Sequence, residues 1–306
     1  MNIWGINCLN HGSSIAIFVN NKLEHWQFFP EDEIPKLDLE YFEYKYTPDH
    51  IYWYERPWIK KTRQAYAGQW NRVFNLKDIP KLWLKTNKII APITYTPHHG
   101  SHAAAGYYTS PFNACAIVVL DAIGEWETCS IWKGNHGEIT KLWSNRYPRS
   151  LGLFYSAFTD LINLKPIKDE YLLQQLSEQG DRDRYFYEVL QQYNKNLHKG
   201  VQDWPYEINA QDHKDIAAAV QLVFELEVNS IMQRAKQLTG SNSLVYMGGC
   251  AMNSKYNQQL KNHWEYIWSL PMPGDPSSAI GAVLYHTKQR IRDYQWNPVK
   301  HLEINI

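Results

Sequence analysis

Between Thr96 and Thr128 the chain reads TPHHGSHAAAGYYTSPFNACAIVVLDAIGEWET, and this stretch holds the side chains best suited to chemistry. If residues 98–110 open a helix, His98 and His102 stand at i and i+4, so both imidazoles share one face about one turn apart. That spacing suits a metal ion. The apolar tract Ala114–Leu120 is short, unbroken and rich in β-branched residues, so it reads as a buried strand that delivers Asp121 at its end. Two imidazoles and a carboxylate would bind a first-row divalent ion with positions left open. In a chain with 12 histidines the same pair could instead line a helix and bond only its neighbours, and spacing alone leaves both readings open.

These groups need elements to hold them. Residues 2–29 read as a strand, a polar loop at Asn10-His11-Gly12-Ser13-Ser14, and a hairpin turning at Asn20-Asn21. Residues 114–144 repeat the plan, with Asp121–Glu125 as the loop and a hairpin turning through Lys133–Gly137. The repetition predicts an α/β protein of two similar lobes, approximately 1–110 and 111–306, whose first loops point into a shared cleft. Further on, Asp212 is the expected cap of a long helix running to about Leu238 and stopped by Gly240. A strand at Ser243–Met247 then leads into Gly248-Gly249-Cys250-Ala251-Met252-Asn253. Paired glycines there let backbone N–H groups approach a phosphate or adenine, although a plain turn would use them too. In Pro271–Ala282, Ser277 and Ser278 could meet a phosphate at a helix start, and Gly281 permits close helix packing.

Composition narrows the class. At 306 residues, with 31 basic and 31 acidic side chains, the chain can bury a large core and has no charge excess that demands a polyanionic partner. No apolar run is long enough to span a membrane and no basic-then-apolar leader opens the chain, so a cytoplasmic enzyme is expected. Cys8, Cys115, Cys129 and Cys250 are scattered and read as buried small hydrophobes. One segment is locally basic: Arg56–Lys88 holds nine Lys or Arg against Asp78 alone, interleaved with Trp58, Tyr66, Trp70, Phe74 and Trp83. Such a pattern can follow a phosphate backbone while stacking on bases, in DNA or a pyrimidine nucleotide, or it can be a solvated face balancing the acidic segment before it.

The run His98-His99-x-Ser101-His102-Ala103-Ala104-x-x-Tyr107-Tyr108-x-Ser110-Pro111-Phe112, followed by Asp121-x-x-Gly124-Glu125-x-x-Thr128, resembles the amino-terminal domain of the nodulation-type O-carbamoyltransferases. These are relatives of the threonylcarbamoyl-transferring tRNA modifiers. The resemblance implies the duplicated ribonuclease-H-like lobes of the actin and sugar-kinase fold, and transfer of a carbamoyl group from carbamoyl phosphate or carbamoyl-adenylate, with ATP as cofactor, to an acceptor hydroxyl. It implies a metal, iron by preference, on His98, His102, Asp121 and Asp275, and it makes His11 a catalytic or acceptor-positioning group. Lys36 becomes a phosphate neutraliser, Gly248, Gly249 and Asn253 a nucleotide loop, and Glu170 a further donor-side residue.

The chain departs from the family pattern at three places. Gly12 stands where the family has Asp, and Asp169–Leu173 replaces a Gly-Lys-x-Met-Gly segment. The sequence ends at Ile306, where the family continues into a domain that makes carbamoyl-adenylate, so three explanations stay open: a donor-forming protein in trans, direct use of carbamoyl phosphate, or a sequence cut short of the full chain. The acceptor favoured by the basic aromatic segment is the 5-hydroxymethyl group of cytosine in DNA or a nucleotide, as in viral members. Antibiotic or sugar hydroxyls, a tRNA adenosine and an ATP-dependent kinase reaction are the alternatives.

Overall fold

The computed structural model describes residues 1–292. It opens with an antiparallel meander of β1 (Asn2–Asn10), β2 (Gly12–Val19) and β3 (Lys22–Phe29). Only His11 separates β1 from β2, so the expected polar loop is a one-residue bend; positive φ at Leu9 and Gly12 makes the reversal that tight. Asn20 and Asn21, with φ of 49° and 68°, form the next turn, a conformation asparagine tolerates better than other side chains. Then come α1 (Lys36–Tyr46), β4 (His50–Trp53), α2 (Pro57–Tyr66), α3 (Trp70–Val73), α4 (Pro80–Thr86) and β5 (Ile93–Tyr95). β4 and β5 extend the sheet in parallel, giving the order β3-β2-β1-β4-β5.

After α5 (His98–Thr109) the plan repeats. β6 (Ala114–Gly124), β7 (Glu127–Asn135) and β8 (Glu138–Arg146) form the second meander. The chain continues through α6 (Leu151–Leu161), α7 (Glu170–Leu176), α8 (Phe186–Tyr193), α9 (Ala210–Thr239), β9 (Ser243–Met247), α10 (Ser254–Asn257), β10 (Tyr266–Trp268) and α11 (Asp275–Thr287). The second sheet, β10-β9-β6-β7-β8, has the connectivity of the first. The molecule is therefore α/β with duplicated lobes.

Two helices lie back to back between the sheets. α11 packs on β1 and β2, and α5 packs on β6 and β9. Every residue of α5 is buried, which its small side chains allow. A Cβ at Gly106 would fall 2.4 Å from Val245, and one at Gly281 would fall 1.8 Å from the Ser101 carbonyl oxygen, so both helices approach their neighbours at backbone distance. On the outer face of the first sheet, Leu39 and Phe42 of α1 pack with Trp4, Ile6 and Ile17. α6 and α9 cover the outer face of the second.

The cap of α9 differs from expectation. Asn209 is the cap, its side chain accepting from the N–H groups of Gln211 and Asp212, while the Asp212 carboxylate accepts from the Asn209 N–H at 2.8 Å. The two residues form a reciprocal box that satisfies donors no helical carbonyl can reach, and the helix starts three residues earlier for it. Gly240, left-handed at φ 64°, ends it. All four cysteines are buried and unpaired. Among the described residues no helix is long and apolar enough to cross a membrane.

Candidate metal centre

Four side chains converge where three elements end. His98 and His102 come from the first turns of α5, Asp121 from β6, and Asp275 is the first residue of α11. One ligand atom from each lies within 4.8 Å of every other. His98 Nε2 is 3.0 Å from Asp121 Oδ2 and 3.4 Å from Asp275 Oδ1. His102 Nε2 is 3.4 and 3.2 Å from the same two atoms, and the two Nε2 atoms are 3.1 Å apart.

Donor atoms about 2.1 Å from one ion lie about 3.0 Å apart at right angles and about 3.4 Å apart in a tetrahedron. The five separations that involve a histidine fall in that interval, which suits four groups around a single first-row divalent ion. Electrostatics agrees. Burial opposes charge on His98, yet the facing Asp275 and Asp121 carboxylates hold its pKa well above the ordinary imidazole value; His102 is raised by the same two carboxylates against the same penalty. Burial works against Asp121 and Asp275 too, but the two histidines draw both carboxyls below the usual range. Two half-buried carboxylates facing two buried imidazoles favour positive charge between them, as protons or as a metal.

Neighbours orient the ligands. Ser278 Oγ lies 3.4 Å from His102 Nδ1, Asp121 Oδ1 accepts from the Ala122 N–H at 2.7 Å, and the Tyr54 ring stands edge-on to His98 with centroids 5.3 Å apart. His99 turns away from the cluster to Ser130 Oγ at 2.7 Å, and burial keeps it neutral. A Cβ at Gly124 would lie 2.2 Å from His98, so glycine there is required by the ring.

The other candidate residues separate into two groups. The glycine pair adjoins the cluster: a Cβ on Gly249 would lie 3.2 Å from Asp121 Oδ1, and Gly248, at φ 94°, presses on the Leu120 carbonyl. Asn253 is committed elsewhere, capping α10 and exchanging amide hydrogen bonds with Gln221 at 3.0 and 3.1 Å. Glu170 accepts from Ser156 Oγ and the Ile167 N–H. Ser277 bonds the Gly274 carbonyl, so of the serine pair one closes a helix turn and the other touches a ligand. His11 is exposed on the β1–β2 bend, and Lys36 is exposed at the start of α1, 3.6 Å from Glu40; neither joins the cluster. Burial pushes the thiols of Cys8 and Cys115 up to about 12 and that of Cys250 well up, so these cysteines offer no thiolate nucleophile.

The basic segment is partly structural. Arg56 forms a bidentate pair with Glu125, Lys60 pairs with Glu55 at 2.7 Å, Lys61 donates to the carbonyls of Arg72 and Asn75, and Arg63 reaches the Glu125 carbonyl. Trp83 is buried on Glu33. Arg72, Lys77, Lys81, Lys85 and Lys88 stay exposed, as do Trp58, Tyr66, Trp70 and Phe74 of the same segment.

The family described as carbamoyltransferase N-terminus matches residues 52–284. The chain belongs to this carbamoyltransferase family. All of the cluster lies inside the matched region. An uncharacterised protein of Synechocystis sp. is 30% identical over 289 residues, covering 77% of this chain and 47% of that protein. Nodulation protein NolO of Bradyrhizobium diazoefficiens is 26% identical over 230 residues, covering 66% of this chain and 41% of NolO. The chain thus spans about half the length of the curated relatives it matches, or less. Among solved structures, component A of (R)-2-hydroxyglutaryl-CoA dehydratase from Acidaminococcus fermentans superposes with a TM-score of 0.54 at 14% identity, covering 94% of this chain and 99% of that one. A putative N-acetylmannosamine kinase from Listeria monocytogenes gives 0.50 at 10% identity over the same shares. These establish the fold of this carbamoyltransferase-family chain as the duplicated-lobe, actin and sugar-kinase type.

Proposed function

We propose that the chain performs the transfer step of O-carbamoylation, and the observation that carries this reading is the four-ligand cluster within a matched carbamoyltransferase region. The acceptor oxygen forms a bond to the carbamoyl carbon, and the bond from that carbon to the donor's phosphate or adenylate oxygen breaks, the electron pair leaving with that oxygen. A divalent ion on His98, His102, Asp121 and Asp275, iron in our reading, would supply Lewis acidity toward the donor oxygens. Gly248 and Gly249, whose backbone runs beside Asp121, form the donor-phosphate or nucleotide side of the site. Exposed His11 takes the acceptor proton as general base.

The acceptor we infer is the 5-hydroxymethyl group of cytosine in DNA or a nucleotide. Four exposed aromatic side chains and five exposed cations of the same segment support a stacked base with a phosphate nearby. The donor is carbamoyl phosphate or carbamoyl-adenylate.

The test is intact-mass analysis of hydroxymethylcytosine DNA, and of the free nucleotide, after incubation with the protein, carbamoyl phosphate, ATP and ferrous ion, with and without a carbamoyl-adenylate-forming protein. A gain of one carbamoyl unit that His102→Ala abolishes is expected. A gain only on sugar or antibiotic hydroxyls overturns the acceptor and keeps the reaction, whereas phosphate found on any acceptor overturns the reaction.

A further inference from the structure

Asn7 on β1 and Ser14 on β2 face each other across the strand pair, and both are fully buried. Among the described residues, neither amide atom of Asn7 nor the Ser14 hydroxyl has a hydrogen-bond partner. Strand alternation places them on the same face as Gly5 and Ala16. That face packs on α11, where a Cβ at Gly5 would lie 1.9 Å from the Ala279 carbonyl oxygen, one turn beyond Asp275. On the neighbouring strand side, Tyr54 donates its N–H to Ile6 at 3.1 Å and sets its ring edge-on against His98. Asn7 and Ser14 therefore lie on the face of the first sheet that packs on α11, the helix whose first residue is Asp275.

A buried amide in a strand interior is ordinarily replaced by an apolar side chain or fully bonded. Asn7 is neither, and it caps no helix and closes no turn. Its side chain presents one carbonyl acceptor and one N–H donor pair in a plane. The matching ligand is another primary amide, bound by a pair of antiparallel N–H···O bonds, and a carbamoyl group is such an amide.

We propose that Asn7, assisted by the Ser14 hydroxyl, recognises the amide end of the carbamoyl donor and so discriminates it from an acyl group of the same size that lacks the N–H. This rests on the carbamoyl-transfer reading above. Asn7 is a specificity residue here, and it holds the amide without taking part in proton transfer.

Two stable phosphonates of nearly equal shape test it: phosphonoacetamide, which carries the amide, and phosphonoacetone, which has a methyl group in place of the NH2. Their dissociation constants are measured by calorimetry on the purified chain with Mn2+ present, alongside thermal midpoints. The wild type is expected to bind the amide about tenfold tighter or more, as sites built to bond a polar group reject analogues without it. Asn7→Leu is expected to abolish the preference, weakening phosphonoacetone, which loses one bond, less than phosphonoacetamide, which loses two, and to keep or raise the thermal midpoint, because it removes buried polar atoms that the fold does not bond. Ser14→Ala is expected to reduce the preference in part. Should Asn7→Leu fail to fold, Asn7→Ala removes the same Oδ1 acceptor without added bulk and carries the same expectation for the preference.

Equal binding of the two phosphonates by the wild type, or an unchanged preference in the Asn7 variants, overturns the assignment of Asn7 and leaves the carbamoyl reading intact. No binding of either phosphonate overturns carbamoyl phosphate as the donor and this inference together.

Discussion

Each of the four cluster residues contributes one ligand atom to a common point, so deletion of any one should act on the metal before it acts on the fold. His102→Ala and Asp275→Asn are expected to reduce bound divalent metal to near zero by elemental analysis, with far-ultraviolet circular dichroism unchanged. Ser278 Oγ lies 3.4 Å from His102 Nδ1, and Ser278→Ala is expected to weaken metal binding about 10- to 100-fold, the usual effect of losing an orienting neighbour. Protons compete with the ion for the same atoms. Burial opposes charge on His98 and His102, but the two carboxylates raise both pKa values, so in the metal-free protein these rings hold protons above the ordinary imidazole value of 6.5. The ion must displace them. Metal affinity is therefore expected to rise with pH and to keep rising above 6.5, which competition with a chromophoric chelator across the range would read; a plateau already below 6.5 would contradict the charge arrangement.

At the scale of elements, α5 and α11 carry three of the four ligands, and their backbones meet at Gly281 and Ser101. Gly281→Val drives a branched side chain against a main-chain carbonyl, so a loss of about 1–3 kcal/mol or more is expected in denaturant unfolding, with metal affinity falling as the helices separate. The cap of α9 serves as a contrast, because that helix covers the outer face of the second sheet. Asn209→Ala breaks the capping box and is expected to cost about 1 kcal/mol while leaving metal stoichiometry alone. The helix over 98–110, the strand at 243–247 and the stop at Gly240 were all legible from periodicity and punctuation. The cap of α9 was not, because Asn209 and Asp212 satisfy each other's helix end and sequence alone does not say which is outside the helix.

Across the whole molecule, the two lobes are tied near the cluster by a polar clasp. Arg56 follows β4 in the first lobe, and Glu125 lies in the β6–β7 turn of the second; the carboxylate accepts from the Arg56 backbone N–H at 2.7 Å as well as from its guanidinium. Arg63 adds a bond to the Glu125 carbonyl, and Trp126 donates to Thr62 at 3.0 Å. Glu125 is buried while Arg56 is 45% exposed on its side chain, so the pair is partly screened. Glu125→Gln is expected to cost about 1–2 kcal/mol, less than the loss of a fully buried pair. Hydrogen exchange should then speed first in α2 and in the β6–β7 turn. Uniform acceleration across both sheets would mean that the clasp acts on global stability and not on the join between lobes.

The sequence by itself determined the repeated meander, because alternation and turn residues act over a few positions and register is fixed locally. It determined the His98 and His102 pair for the same reason, since helical spacing decides which side chains share a face. The assembly of that pair with Asp121 and Asp275 came from family resemblance, because residues separated by 23 and 177 positions from His98 meet only when two sheets close around two helices. Tertiary structure alone decided that Arg56, Lys60, Lys61 and Arg63 are structural cations while five others stay free, a distinction that composition cannot carry because it depends on what each side chain faces. It also decided that Asn253 and Ser277 spend their hydrogen bonds on local backbone and neighbouring amides. Only the structure showed Asn7 and Ser14 as buried polar side chains with no partner among the described residues, since partners, and the lack of them, are properties of packing.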